Sequence, residues 1–234
     1  MTEVIPAIMP ESLDDLREKV SLVAGFVTTV QLDIMDGRYV PERTWPYTEG
    51  GAEEFEVFRS ESEGLPSWDK VNFEADLMVS DQEKALYDWV AIGAGRVIVH
   101  AEGIVDLEGL VERFRNRFPK EDTAGVGYVE LGVALLIGTD AEILERVVNE
   151  IDFVQFMGIA RIGYQGEPFD ERVLSKITAW RDHHREATIS VDGGITLESA
   201  ERLVEAGVTR LVSGSYIFGG DDVEGRILDL ESLS

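Results

Sequence analysis

Short apolar runs alternate with amphipathic segments along the whole chain, and this alternation constrains the fold more than any other feature of the sequence. The apolar runs are rich in β-branched residues, which is typical of buried strands. Eight such runs occur, at residues 4–8, 27–35, 71–79, 96–100, 127–136, 153–157, 188–191 and 210–213. We therefore predict eight strands separated by helical crossovers.

The segments between these runs carry apolar residues at the three- and four-residue spacing of helices. They predict helices at residues 12–24, 81–92, 106–118, 140–151, 170–184, 196–206 and 221–230, and a less regular helix at 50–60. Ser12 is a candidate N-cap, and Gly207 is a candidate residue at a helix C-terminus. Repeated strand–helix alternation indicates parallel strands, because parallel neighbours need a long connection.

Eight strand–helix units in 234 residues predict an α/β fold, a single-domain (β/α)8 TIM barrel over residues 1–234. Such barrels usually need about 250 residues. An open, doubly wound sheet is the alternative, and it is disfavoured because no GxGxxG pattern follows the first strand. In a barrel the chemistry lies at the carboxyl ends of the strands. The residues at those ends are therefore the candidates for function.

The composition limits the partners that this chain can have. Its 46 acidic and 21 basic residues give a formal net charge of −25, which repels nucleic acid and anionic membranes. The lack of cysteine excludes disulfides and thiol chemistry. No apolar run approaches the roughly 20 residues of a membrane span, and the first residues do not resemble a signal peptide. We expect a cytoplasmic protein without nucleic-acid or membrane partners, and a homo-oligomer remains open.

Acidic side chains are predicted to meet at one mouth of the barrel. Because side chains alternate faces along a strand, Gln31, Asp33 and Met35 share a face, which we assign to the barrel interior. Asp76 stands near the end of the third strand and Asp192 at the end of the seventh. Converging carboxylates repel each other unless a cation lies between them. A set of oxygen ligands suits Mg²⁺ or Mn²⁺ better than Zn²⁺.

Glycines follow the seventh and eighth strands. Gly193 and Gly194 lead directly into a predicted helix, and Gly214 and Ser215 follow the last strand. In barrels of this type, backbone N–H groups and a helix N-terminus at these loops often bind phosphate. Neutral donors of this kind can bind a phosphorylated metabolite in spite of the strongly negative chain.

Seven stretches at strand ends and in the following loops together resemble the ribulose-phosphate 3-epimerase family, a family of (β/α)8 enzymes. The stretches are LDIMDGRYVP, DLMV, VHAEG, GVALLIGT, GYQGEPF, VDGGIT and VSGSYIF, and they occur in the order seen in the family. One of them alone would be weak evidence, but seven in order cover nearly the whole chain.

The resemblance implies an isomerase mechanism with two catalytic carboxylates. Asp33 and Asp192 match the family's residues that exchange protons with the substrate and also bind a divalent metal. The implied reaction interconverts ribulose 5-phosphate and xylulose 5-phosphate, or a related ketose phosphate, through an enediolate that the metal stabilises. One carboxylate acts as the base and the other as the acid, with the roles reversed in the back reaction.

The resemblance also implies which residues contact the substrate, a small phosphorylated sugar. Three methionines match those that line the family's site: Met35, Met78 and Met157. Phosphate binding is implied for a set of loop residues: Gly163, Gly166, Gly193, Gly194, Gly214 and Ser215.

Several positions depart from the family's pattern. Gln31 and Asp76 stand where the family has two metal-binding histidines, Ala7 replaces a serine on the first strand, and residues 161–163 replace an Asn-Pro-Gly segment. Imidazole ligands suit Zn²⁺ or Fe²⁺, whereas amide and carboxylate oxygens suit harder ions. We therefore expect Mg²⁺ or Mn²⁺ to be favoured over Zn²⁺ or Fe²⁺. The expected metal ligands are Gln31, Asp33, Asp76 and Asp192.

Three alternatives to the epimerase can be considered, of which the first is disfavoured and the other two stay open. Sugar-acid phosphate decarboxylases use a similar barrel but carry an Asp-x-Lys-x-x-Asp motif, and no lysine is present in the corresponding segment 33–36. Another isomerase or lyase acting on a phosphosugar stays open. A barrel that binds a phosphorylated ligand without turning it over also stays open, because both histidines and the first-strand serine are replaced.

Overall fold

Eight parallel strands close into a barrel in the order in which they occur along the chain. The computed structural model describes residues 2–60, 63–120 and 128–233. The strands are β1 (Glu3–Ile8), β2 (Thr29–Met35), β3 (Asn72–Met78), β4 (Arg96–His100), β5 (Glu130–Leu135), β6 (Phe153–Met157), β7 (Thr188–Asp192) and β8 (Arg210–Ser213). The predicted (β/α)8 barrel is confirmed, and the open sheet is excluded because β8 pairs with β1.

Helices surround the barrel and bury one face each against the strands. They are α1 (Leu13–Val23), α2 (Gly51–Arg59), α3 (Gln82–Ala91), α4 (Leu107–Arg117), α5 (Arg172–His183), α6 (Leu197–Glu205), α7 (Ser215–Phe218) and α8 (Val223–Glu231). The Ser12 hydroxyl accepts a hydrogen bond from the backbone N–H of Asp15, which confirms the predicted cap of α1. In the part of the chain that the structure describes, no helix is long and apolar enough to cross a bilayer.

The helix predicted at residues 140–151 is wrong. Only Ala141–Leu144 is helical, as a short 3₁₀ helix, and turns follow it to residue 150. Leu144 and Val147 are buried three residues apart, a spacing that 3₁₀ geometry satisfies as well as an α-helix does. The carbonyls of residues 149–151 accept hydrogen bonds from Lys120 and Arg115. The first residue of the strand predicted at 127–136 lies outside the described residues, and β5 begins at Glu130.

The barrel interior is charged at both ends and apolar between them. Side chains near the amino ends of the strands form a partly buried ionic network of Glu3, Glu74, Arg96, Glu130 and Arg210. Apolar side chains fill the middle of the barrel: Ile5, Ile98, Phe153 and Val212. The carboxyl end of the barrel holds the acidic residues described next.

Candidate active site

Three aspartates meet at the carboxyl end of the barrel, as the strand alternation predicts. Asp33 on β2 lies directly opposite Asp76 on β3, and Asp192 ends β7. One carboxylate oxygen from each lies within 4.8 Å of the other two. Asp33 and Asp192 keep 8% of their surface exposed, whereas Asp76 is fully buried. The first two therefore reach the solvent-facing side of this cluster, and both line the cavity above it.

The side-chain amide of Gln31 connects the two aspartates that line the cavity. Its Nε2 donates to Asp33 Oδ1 at 2.8 Å and to Asp192 Oδ2 at 2.9 Å. Its Oε1 is buried and has no hydrogen-bond partner among the described residues. Gln31 thus holds two acidic groups from distant strands together through its nitrogen, while its oxygen stays unpartnered.

Asp76 is held by side chains from two other strands, one of which is held in turn by a third. His100 Nε2 lies 2.9 Å from Asp76 Oδ1, and Gln155 Nε2 donates to Asp76 Oδ2 at 3.4 Å. Ser190 Oγ donates to Gln155 Oε1 at 3.1 Å. The sequence analysis did not single out Gln155 or Ser190. The alternation of side chains along the strands could have identified both residues. Gln155 shares a face of β6 with Met157, and Ser190 shares a face of β7 with Asp192.

Burial and mutual repulsion change the proton affinity of this cluster. Burial, followed by the neighbouring carboxylates of Asp192 and Asp76, raises the pKa of Asp33 well above its usual range. Burial and the charge of Asp76 raise the pKa of Asp192 to about 7. Burial opposes the charged form of His100, but the adjacent Asp76 outweighs it and raises the pKa of that imidazole. In the absence of a cation, the Asp33–Asp192 pair therefore retains a proton near neutral pH.

A cavity opens above the acidic cluster, and its walls contain most of the residues predicted to contact the substrate. Met78 and Met157 line it, and so does Met9. Met35 is fully buried and packs against Met78 and Val40 instead. The residues predicted to bind phosphate all lie in the cavity wall: Gly163, Gly166, Gly193, Gly194, Gly214 and Ser215.

The loop after β7 needs glycine for its shape. Gly193 and Gly194 have φ angles of 97° and 70°, which lie in the left-handed region. A Cβ on Gly194 would approach Phe169 Cα to 2.7 Å. The loop leads into α6, whose N-cap Thr196 forms a capping box with Ser199. Backbone N–H groups at such a helix start are suited to bind an anion.

No lysine or arginine lines this cavity among the described residues. Arg161 lies in the loop after β6, but it is exposed, pairs with Glu167 at 2.6 Å and lies over the ring of Tyr164. Arg161 is therefore a surface arginine. An anionic group in the cavity would therefore depend on neutral donors.

The model of the ribulose-phosphate 3 epimerase family matches residues 3–218. The chain belongs to this family. The match includes all eight strands and every residue of the acidic cluster. It confirms the family resemblance that the seven sequence stretches indicate.

Curated members of the ribulose-phosphate 3-epimerase family are similar over most of their length. The chain is 31% identical to the ribulose-phosphate 3-epimerase of Treponema pallidum, over 87% of this chain and 85% of the relative. It is 30% identical to the chloroplastic ribulose-5-phosphate-3-epimerase of Arabidopsis thaliana, over 94% of this chain and 72% of the relative. It is 27% identical to the Bacillus subtilis enzyme, over 98% of both chains.

Solved structures support the same fold at low sequence identity. KGPDC from Streptococcus mutans matches with a TM-score of 0.68 and 13% identity, over 100% of this chain and 97% of that one. The 3-hexulose-6-phosphate synthase of Salmonella typhimurium matches with a TM-score of 0.65 and 15% identity, over 99% and 98% of the two chains. At this identity, the likeness concerns the barrel alone.

The acidic cluster fits the divalent cation that the epimerase family implies. Three buried carboxylates supply oxygen atoms that lie within 4.8 Å of one another. The Oε1 of Gln31 is unpartnered, and a rotation of the amide that gives up its two hydrogen bonds to the aspartates would present this atom as a fourth oxygen. Oxygen donors of this kind are the ligands of hard cations such as Mg²⁺ and Mn²⁺.

Proposed function

We propose that this protein is an epimerase that interconverts ribulose 5-phosphate and xylulose 5-phosphate, or a closely related pair of ketose phosphates. One observation carries the proposal: Asp33 and Asp192, from β2 and β7, face one cavity and share the amide of Gln31. Epimerisation beside a ketone requires two proton-transfer groups that reach the same carbon. The family membership and the curated relatives support the same reaction.

The proton affinities of the two aspartates suit this role. Epimerisation removes a proton from one face of a carbon and returns one to the other face, so one group must begin ionised and the other protonated. Without a cation, burial and charge repulsion favour a single shared proton on Asp33 and Asp192 near neutral pH. In the back reaction the two groups exchange roles.

A divalent cation at this site would be held by Asp33, Asp76 and Asp192, with Gln31 as a further oxygen donor. When bound, such a cation supplies positive charge that stabilises negative charge developing on substrate oxygens. Met78 and Met157 border the same space with polarisable sulfur atoms. These side chains exclude water from the reacting carbon without adding charge.

The phosphate of the substrate would lie against the loops after β6, β7 and β8. Gly193 and Gly194 bring backbone close to the cavity at the start of α6, and Gly214 and Ser215 do so at the start of α7. These amide groups bind an anion without bringing a positive side chain near the acidic cluster.

Decarboxylation of a phosphosugar is less well supported. Sugar-acid phosphate decarboxylases share the barrel and carry the lysine of their Asp-x-Lys-x-x-Asp motif. In the described part of the chain, no lysine lies in the cavity wall.

The proposal is tested by offering ribulose 5-phosphate to the protein in deuterated water. The protein is first reconstituted separately with Mg²⁺, Mn²⁺, Zn²⁺ and Fe²⁺. We expect xylulose 5-phosphate to form, with solvent deuterium at carbon 3 of the product, and the hard cations to support the highest rate. Neither product nor deuterium with any of the four cations would reject the epimerase function.

A further inference from the structure

A network of uncharged side chains reaches Asp76 from the side of the barrel opposite to β2. Gln155 on β6 and Ser190 on β7 are both fully buried in the barrel interior. Gln155 donates to Asp76, and Ser190 donates to Gln155. Neither residue lines the cavity, so neither contacts a ligand there. Their effect on the site must pass through Asp76.

The hydrogen bonds define which way the Gln155 amide points. Asp76 as a carboxylate only accepts hydrogen bonds, so the NH₂ end of the amide must face it. The carbonyl end then faces Ser190, whose hydroxyl donates to it at 3.1 Å. Ser190 thereby opposes rotation of the amide, and a rotated amide would place its oxygen against the carboxylate of Asp76.

His100 completes the restraint from the other side. Its Nε2 lies 2.9 Å from Asp76 Oδ1, while Gln155 lies at Oδ2. With one partner on each oxygen, the plane of the Asp76 carboxylate is defined. The lone pairs that remain are available toward Asp33 and Asp192, whose oxygens lie within 4.8 Å.

An apolar side chain would fill the position of Gln155 at lower cost than a buried amide. Burying an amide costs free energy unless its hydrogen bonds are made. Phe153 and Met157, which share the interior face of β6 with Gln155, show that this face packs bulky apolar groups. Gln155 and Ser190 are therefore best explained by their hydrogen bonds toward Asp76. Metal ligands in other proteins are oriented in the same way by hydrogen bonds from neighbouring groups.

We propose that Gln155 and Ser190 are positioning residues that orient Asp76 as a cation ligand. This inference rests on the proposed function, because it assumes that the acidic cluster binds a divalent cation. The inference identifies residues that would orient the Asp76 carboxylate for cation binding, at a position where the family resemblance implies a histidine. The cation affinity of the protein should therefore depend on two side chains that do not touch the cation.

The test measures Mn²⁺ binding without substrate, from the electron paramagnetic resonance signal of unbound Mn²⁺. Gln155→Leu removes the donor to Asp76 at similar volume, and we expect it to weaken Mn²⁺ affinity about 10- to 100-fold. Ser190→Ala removes only the restraint on the amide, and we expect a loss of about threefold. Thr209→Val is the matched control, because its hydroxyl bonds the backbone of Ile189 beside Ser190 and does not reach Asp76.

Two further measurements separate positioning from a general effect on folding. Thermal unfolding without cation reports whether each variant is folded, and inorganic phosphate affinity reports the opposite side of the cavity. We expect phosphate affinity to stay within about twofold in all three variants, as additivity between separate sites predicts. A structural role alone would lower the unfolding temperature and leave the Mn²⁺ affinity of the folded protein unchanged.

Native Mn²⁺ affinity in folded Gln155→Leu and Ser190→Ala would overturn the inference. Failure of the native protein to bind Mn²⁺ would also overturn it. The epimerase assay, run on the same native sample, reports the proposed function independently, so product formation without Mn²⁺ binding would overturn this inference and leave the epimerase function standing.

Discussion

The amide nitrogen of Gln31 lies 2.9 Å from Asp192 Oδ2, a contact that joins the second strand of the barrel to the seventh. The same nitrogen contacts Asp33 two residues along β2. A neutral side chain thus holds together two acids that would otherwise repel each other. The hydrogen bond from Gln31 opposes the rise in pKa that burial imposes on both aspartates, so the proton balance of the site depends on this arrangement.

Cation binding is predicted to weaken as the pH falls through neutrality. Burial raises the pKa of Asp192 to about 7, so below that pH the carboxyl holds a proton that a cation must displace. Asp33 adds to the effect, since its pKa is raised too. We expect Mn²⁺ affinity to fall by about tenfold or more per pH unit between pH 7 and pH 5, because binding releases at least one proton. Calorimetric titrations with Mn²⁺ across this pH range check the prediction. An Mn²⁺ affinity that does not change with pH would contradict the raised pKa values of these two acids.

The replacement of an imidazole by Gln31 is predicted to determine which cation the site prefers. Gln31→His adds a nitrogen ligand, and nitrogen favours Zn²⁺ over Mn²⁺ more than an amide oxygen does. We expect the ratio of Zn²⁺ to Mn²⁺ affinity to rise in this variant, as measured by competition between the two ions. Gln165→His, which adds the same group to the cavity wall away from the acidic cluster, is the control and should leave the ratio unchanged. A ratio equal to that of the native protein in Gln31→His would exclude Gln31 as a ligand.

Glu74 is predicted to make the fold less stable at alkaline pH. This side chain lies in the ionic network at the amino end of the barrel, where burial outweighs Arg96 and Arg210 and raises its pKa to about 8. In the unfolded chain the ordinary value is 4.5, so between about 4.5 and 8 the unfolded state is ionised while the folded state is not. Its contribution to the free energy of unfolding is therefore complete below pH 4.5 and is lost as the pH rises through 8, at up to about 1.4 kcal/mol per pH unit.

Glu74→Gln should remove this loss. Urea denaturation at pH 5 and pH 8 measures the free energy of unfolding, and we expect the difference between the two pH values to shrink in the variant. Glu112→Gln, on the exposed face of α4, is the control and should keep the native difference. An unchanged difference in Glu74→Gln would show that Glu74 is ionised in the folded protein.

The loop after β7 is predicted to bind the phosphate group. Gly194→Ala places a Cβ against the backbone of Phe169 at a φ of 70°, which displaces the loop. We expect the affinity for inorganic phosphate to fall at least about tenfold, because losing a hydrogen bond to a charged group costs about 1.5 to 3 kcal/mol. Gly138→Ala, in the loop after β5 where a Cβ meets nothing within 4 Å, should keep the native affinity. Equal phosphate binding by both variants would place the phosphate elsewhere.

Strand periodicity was sufficient to predict the acidic cluster. Alternation places Gln31 and Asp33 on the interior face of β2, and the closing of the barrel then brings Asp76 and Asp192 to them. This inference needs only the period of two residues in a strand and the order of strands in a barrel. The glycine loops were predictable for a similar reason, since they follow the ends of β7 and β8.

Other features depended on contacts that sequence patterns do not contain. The spacing of Leu144 and Val147 fits both an α-helix and the observed 3₁₀ turn. The backbone carbonyls of residues 149–151 accept hydrogen bonds from Lys120 and Arg115, which are tertiary contacts that the local sequence does not show. Met35 shares the interior face of β2, but it is fully buried against Val40 and Met78 and does not line the cavity. Gln155 lies in an otherwise apolar strand, and its hydrogen bond to Asp76 depends on how close the two side chains come across the barrel, which the sequence does not show.

The most direct test of the account is the transfer of solvent deuterium to carbon 3 of ribulose 5-phosphate by Asp33→Asn and Asp192→Asn, measured by NMR beside the native protein. The account predicts that the native protein forms deuterated xylulose 5-phosphate and that neither variant does, because each lacks one of the two groups that move the proton. Both variants should still bind inorganic phosphate, which shows that the cavity remains formed. Near-native turnover by either variant would contradict the assignment of these two aspartates as the acid and the base.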